Sequence, residues 1–95
     1  HHIVNISNPD AQERSYTVTG YICETDTFAS DRLLHEVREG DRLVFYNAGA
    51  YGFEMSSNYN SRYKPAEVLV KDGKALLIRE REDFEDLLKN QVVSF

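Results

Sequence analysis

A mainly β domain, a small and mostly antiparallel barrel or sandwich with one short C-terminal helix, is the fold class this sequence predicts. Three observations predict it. Apolar residues alternate along short runs between turn residues, an Asp-Gly pair separates two apolar runs, and only the last segment takes up a helical period.

The elements follow in chain order. His2-Ile3-Val4-Asn5-Ile6 alternates ahead of a turn rich in Ser, Asn, Pro and Asp. Tyr16, Val18 and Ile22 carry a second alternating run, in which Gly20 reads as a bulge or point of close approach. Thr25-Asp26-Thr27 reads as loop, and Asp31-Arg32 as a local ion pair. Glu39-Gly40-Asp41 is a turn signal before the compact strand Leu43-Val44-Phe45-Tyr46. Val68-Leu69-Val70 and Ala75-Leu76-Leu77-Ile78 flank Lys71-Asp72-Gly73-Lys74, where Asp and Gly both tolerate the positive φ of a two-residue hairpin turn. Phe84, Leu87 and Leu88 stand at i, i+3 and i+4, with Glu82 and Asp83 in the first turn and Lys89 near the end, an amphipathic helix matched to its dipole. The acids from Glu80 to Asp86, interleaved with Arg79 and Arg81, read as a solvated face.

The 95 residues allow one domain with a modest core. A hydrophobic share of 41% and a charged share of 28% are those of an ordinary globular chain. A net charge of −5 argues against a nucleic-acid surface, which needs clustered Lys and Arg to displace counterions. No apolar run approaches the roughly 20 residues of a membrane span. One Cys and three His predict neither a disulfide framework nor a structural metal site. The chain does not begin with Met and carries no visible signal peptide; His1 and His2 read equally as a tag remnant or as native sequence.

Two places could carry chemistry. Ala48 to Arg62 gives up packing side chains for Gly, Ala, Ser and Asn, as a segment does where backbone or ligand comes close. Within it Tyr51, between Ala50 and Gly52, can present its phenol to a phosphate or carboxylate, or equally pack as an aromatic under a loop. Asn58, Tyr59, Asn60 and Arg62 read as loop scaffolding. Cys23-Glu24 sets a thiol beside a carboxylate. A thiol with a reference pKa of about 8.5 is protonated at neutral pH and can donate a proton. The same pair also reads as a core cysteine and a solvated glutamate. On residues alone the chain is a β-rich domain, and a freestanding interaction module stays open.

The blocks taken together narrow this. Cys23-Glu24-Thr25-Asp26, Asp31-Arg32, Gly40-Asp41, Ala48-Gly49-Ala50-Tyr51-Gly52, Ser57-Asn58-Tyr59-Asn60-Ser61-Arg62 and Pro65-Ala66-Glu67-Val68-Leu69-Val70 stand in one order. That order resembles the C-terminal domain of the diaminopimelate decarboxylases, pyridoxal-phosphate enzymes of the alanine-racemase-like group, and the resemblance runs from about Gly20 to Leu88. It implies that residues 1–95 are the C-terminal β domain of a longer two-domain enzyme. An N-terminal β/α barrel, typically about 250 residues, would hold most of the pyridoxal 5'-phosphate and the Schiff-base lysine. It also implies a cytoplasmic head-to-tail homodimer, a small diamino acid as substrate, and conversion of meso-2,6-diaminopimelate to L-lysine and CO₂. The isolated domain would be inactive, and a β segment from the extreme N-terminus of the longer chain would be missing from it.

Residue by residue, the resemblance makes Cys23 the proton donor and Glu24 the acid that binds the substrate. It makes Tyr51 the residue that reaches both cofactor phosphate and substrate. Between Cys23 and Asp26 stand only Glu24 and Thr25, one residue fewer than the usual pattern, so Asp26 takes no role. Related decarboxylases of ornithine, arginine or carboxylated polyamines share the plan but carry Asp after the cysteine. Glu24 therefore favours diaminopimelate.

Overall fold

In a computed structural model, which describes residues 1–22 and 27–93, six strands precede one helix. They are β1 (Ile3–Asn5), β2 (Glu13–Thr19), β3 (Thr27–His35), β4 (Leu43–Phe45), β5 (Glu67–Lys71), β6 (Lys74–Arg79) and α1 (Phe84–Leu88). Mainly β with one short terminal helix is as the sequence predicts. The pairing is antiparallel throughout, β1 with β4, β2 with β3 and β5 with β6. Among the described residues these are three two-stranded ladders and no closed barrel, since closure requires every edge strand to find a second neighbour. The chain groups into two compact units, His1–Ala48 and Gly49–Phe95.

In the first unit Ile3, Ala29 and Leu34 are buried, and Tyr16, Val18, Val37, Leu43 and Phe45 pack against them. Burying a side chain of Leu or Ile size contributes about 1.5–3 kcal/mol, so this core is modest. Phe28 and Phe45 meet in a tilted ring pair with centroids 5.1 Å apart.

The strand β3 is the main departure from the sequence reading. Tyr16 pairs with Arg32 and Val18 with Ala29, so Thr17 alone faces both Ser30 and Asp31. Asp31 takes φ 50°, which places the extra residue of a β-bulge in the left-handed region. A second shift separates Val18 from Thr19. Gly20, the sequence candidate for the bulge, lies past the end of β2. Asp31 and Arg32 do not form the expected ion pair; the Arg32 guanidinium donates to the His1 carbonyl.

A polar knot ties β1 to the turn before β4. Asn5 is 2% exposed, and its amide donates to Glu36 O at 3.1 Å, Asp41 Oδ2 at 3.0 Å and, more weakly, His35 O at 3.4 Å. Its Oδ1 accepts from the Ser7 N–H at 3.0 Å. Asp41 also accepts from the Arg38 N–H at 2.9 Å, and Gly40 supplies φ 88° within this predicted turn. The Arg38 N–H foremost, then the Asn5 amide, hold the Asp41 carboxyl below its ordinary range. A depressed folded pKa contributes stability that is complete above the unfolded value of about 3.9 and is lost as pH falls through the folded value. Thermal melts from pH 7 to pH 2 should therefore show an acid-induced loss of stability that is smaller in Asp41→Asn. Equal pH profiles would count against this linkage.

The second unit holds the β5–β6 hairpin, and its turn is the one the sequence predicts. Asp72 and Gly73 take φ 51° and 73°, both positive as a type I′ turn requires. Its apolar residues face solvent in this unit, Val70 at 72% and Leu77 and Ile78 at 62% exposure. The helix α1 is capped by Asp83, whose carboxylate accepts from the Asp86 N–H while Asp86 accepts from the Asp83 N–H. Asp83 thus stands at the cap, and Glu82 lies before the helix rather than in its first turn. No helix among the described residues is long and apolar enough to cross a membrane.

Candidate functional site

Tyr51 opens a tight turn between β4 and β5. Its carbonyl accepts from the Met55 N–H at 3.1 Å, and the Phe53 carbonyl accepts from the Ser56 N–H at 2.9 Å and from the Ser56 hydroxyl. The backbone of Tyr51 takes φ 70°, a conformation that L-residues other than Asn and Asp rarely adopt. The side chain is 67% exposed, so its phenol stands in solvent and not in a core. In this unit Tyr51 is not packed as an aromatic under the loop.

Cys23 and Glu24 lie outside the described residues. Among the described residues no three His, Cys, Asp or Glu side chains converge on a point where a metal ion could sit. A shallow groove in the first unit, lined by Tyr16, Val18, Leu34, Val37 and Leu43, contains none of the sequence-predicted site residues.

The loop after Tyr51 is organised by Glu82, which the sequence reading assigned to a solvated face. Glu82 Oε1 accepts from the Asn58 amide at 2.7 Å and from the Lys64 N–H at 2.6 Å, while the Glu82 N–H donates to Lys64 O at 3.2 Å. The Lys64 N–H first, then the Asn58 amide, lower the Glu82 pKa and keep it ionised as an acceptor. Asn58 also donates to Arg62 O at 2.9 Å, closing a loop in which Asn60 and Ser61 both have positive φ. Asn58 is thus the scaffold residue expected. Glu82, read as part of a solvated face, is its clamp.

Arg79 is the second such residue. It forms an ion pair with Glu67, its register partner across the hairpin, and its guanidinium carbon lies 4.3 Å from the centroid of the Phe53 ring.

Comparison with known proteins gives the class. Residues 1–49 match the family model "Pyridoxal-dependent decarboxylase, C-terminal sheet domain", and the chain belongs to that family. It is 54% identical over 95 residues to the diaminopimelate decarboxylase of Methanothermobacter thermautotrophicus, an alignment covering 98% of this chain and 22% of that protein. With the Archaeoglobus fulgidus enzyme of the same name it shares 48% identity over 94 residues, 96% of this chain and 22% of that protein. The crystal structure of diaminopimelate decarboxylase from M. jannaschii superimposes with a TM-score of 0.87 at 39% identity, covering 99% of this chain and 22% of that one. The same enzyme in complex with L-lysine gives the same TM-score of 0.87. The chain thus spans about a fifth of the length of the curated relatives it matches.

Proposed function

We propose that residues 1–95 are the C-terminal domain of a diaminopimelate decarboxylase, a carboxy-lyase that converts meso-2,6-diaminopimelate to L-lysine and CO₂. The observation that carries this reading is the 54% identity, across 98% of the chain, to a protein of that name. A relative in complex with L-lysine supports the product class.

The donor chemistry fits one end of pyridoxal 5'-phosphate. A phosphate takes strong hydrogen bonds from hydroxyls, and the exposed Tyr51 phenol offers one. When bound, the cofactor supplies the electron sink that lets CO₂ leave. The residues of this chain do the rest. Tyr51 Oη would donate to the phosphate and border the substrate. The Glu24 carboxylate holds the ammonium at the far end of the diamino acid, the group by which this substrate differs from simpler amino acids. Cys23 Sγ, protonated at neutral pH, gives its proton to the carbon that has lost CO₂.

The longer protein would supply an N-terminal β/α barrel carrying most of the cofactor's contacts and the lysine that binds it. It would act in the cytoplasm as a head-to-tail homodimer, each subunit finishing the other's site, and this domain alone would be inactive. The three open ladders and the solvent-facing apolar residues of β5–β6 support a barrel or sandwich completed by other segments of that assembly.

The test is a substrate panel on the full-length protein loaded with pyridoxal phosphate. Release of lysine from meso-diaminopimelate should exceed decarboxylation of ornithine, arginine and carboxylated polyamines by about 10²-fold or more in kcat/KM, since those substrates keep a far-end cation but lack the second carboxylate, and a site that pairs a polar group discriminates strongly against its absence. Faster turnover of any of the others would overturn the substrate assignment.

A further inference from the structure

We propose that Arg79 is a positioning residue for Tyr51, acting through the ring of Phe53. The inference rests on the reading above, in which the Tyr51 phenol meets the cofactor phosphate, and adds what keeps the phenol in place. Tyr51 holds φ 70° in the turn that its own carbonyl closes with Met55. Such a conformation persists in a residue other than glycine only where its surroundings over-determine it. Two hydrogen bonds to the Phe53 carbonyl fix the turn internally. A tie to the rest of the unit is the Phe53 side chain, two residues from Tyr51, whose ring lies 4.3 Å from the Arg79 guanidinium carbon.

Arg79 suits this task because a guanidinium has edges and faces. One edge is taken by Glu67 across the hairpin, which fixes the plane, and a face is then left for the ring. The register pair Glu67–Arg79 stands at the open end of β5–β6, away from the Asp72-Gly73 turn. The end of the hairpin thereby braces the turn that holds Tyr51 at positive φ. Lysine in place of Arg79 keeps the charge, but its compact ammonium cannot pair with Glu67 and cover the Phe53 ring together as a planar guanidinium does, so Arg79→Lys separates the two functions.

In the full-length protein, Arg79→Lys should speed hydrogen exchange at the Met55 and Ser56 amides about fivefold, the equivalent of one lost cation–π contact. The dissociation constant of pyridoxal phosphate should rise by about the same fivefold factor, while that of pyridoxal, which lacks the phosphate, stays unchanged. The double variant Arg79→Lys/Tyr51→Phe should bind pyridoxal phosphate no more weakly than Tyr51→Phe alone. Phe53→Leu, which leaves the Glu67–Arg79 pair in place, should reproduce both the exchange and the affinity changes. Unchanged exchange in both Arg79→Lys and Phe53→Leu overturns the proposal, as do affinity losses that multiply in full in the double variant. If Tyr51→Phe alone leaves pyridoxal phosphate affinity intact, the phosphate role of Tyr51 falls. The exchange rates at Met55 and Ser56 then decide by themselves whether Arg79 positions the turn.

Discussion

Cys23→Ala in the full-length protein is expected to lower kcat for lysine release about 10²- to 10⁴-fold, the range of a lost general acid. The reasoning is one of proton inventory. Loss of CO₂ leaves a carbon that must gain a proton, and the thiol, with a reference pKa of about 8.5, is protonated at neutral pH and polarisable enough to give it up. Alanine fills most of the same volume and leaves cofactor loading intact, so pyridoxal phosphate absorbance should match the native protein while turnover collapses. The pH profile provides a second check. A donor must be protonated, so the native rate should decline as pH rises through the thiol's pKa, and that decline should vanish in the alanine variant. Near-native turnover in Cys23→Ala would sink the donor assignment.

The largest stability effect is expected at Asn5. Replacing it with leucine of similar volume should cost about 2–4 kcal/mol, read as a lowered urea midpoint with an unchanged slope. Leucine removes the amide that bridges Glu36 O and Asp41 Oδ2, and it leaves the Ser7 N–H without its acceptor. Asp41 retains the Arg38 N–H and Glu36 O retains the Asn8 amide at 2.9 Å, which keeps the loss below that of a wholly orphaned cluster. Asn5→Asp should be no better, because it points a carboxylate at two carbonyls and a second carboxylate. A midpoint unchanged within error in both variants would show the knot to be dispensable.

How much could be read from residues depended on whether the determining partners lie near in sequence. The β5–β6 hairpin was legible because its turn chemistry is local: Asp72 and Gly73 take the positive φ values their types tolerate. The helix was legible from its spacing, though it begins at Phe84, beyond Glu82 and Asp83, which the charge pattern placed in its first turn. The strand β3 was not legible. Its buried residues Ala29 and Leu34 stand five apart, an odd interval that strict alternation forbids and that the bulge at Asp31 creates. The sequence pattern could not announce a bulge at an Asp with a Ser before it. Tyr51 stood out in the site because small neighbours flank it. Glu82 and Arg79 did not, since charges among charges look like a solvated face until their partners, 24 and 12 residues away, are brought against them.

The backbone at Tyr51 also bears on how this domain could be engineered. Position 51 carries a local penalty on the order of 1–3 kcal/mol that glycine would not incur. A search for thermostable variants scored on folding alone would select Tyr51→Gly and count it an improvement. It would thereby discard the phenol, so under the proposed role of Tyr51 position 51 is where gains in robustness and retention of activity would pull in opposite directions.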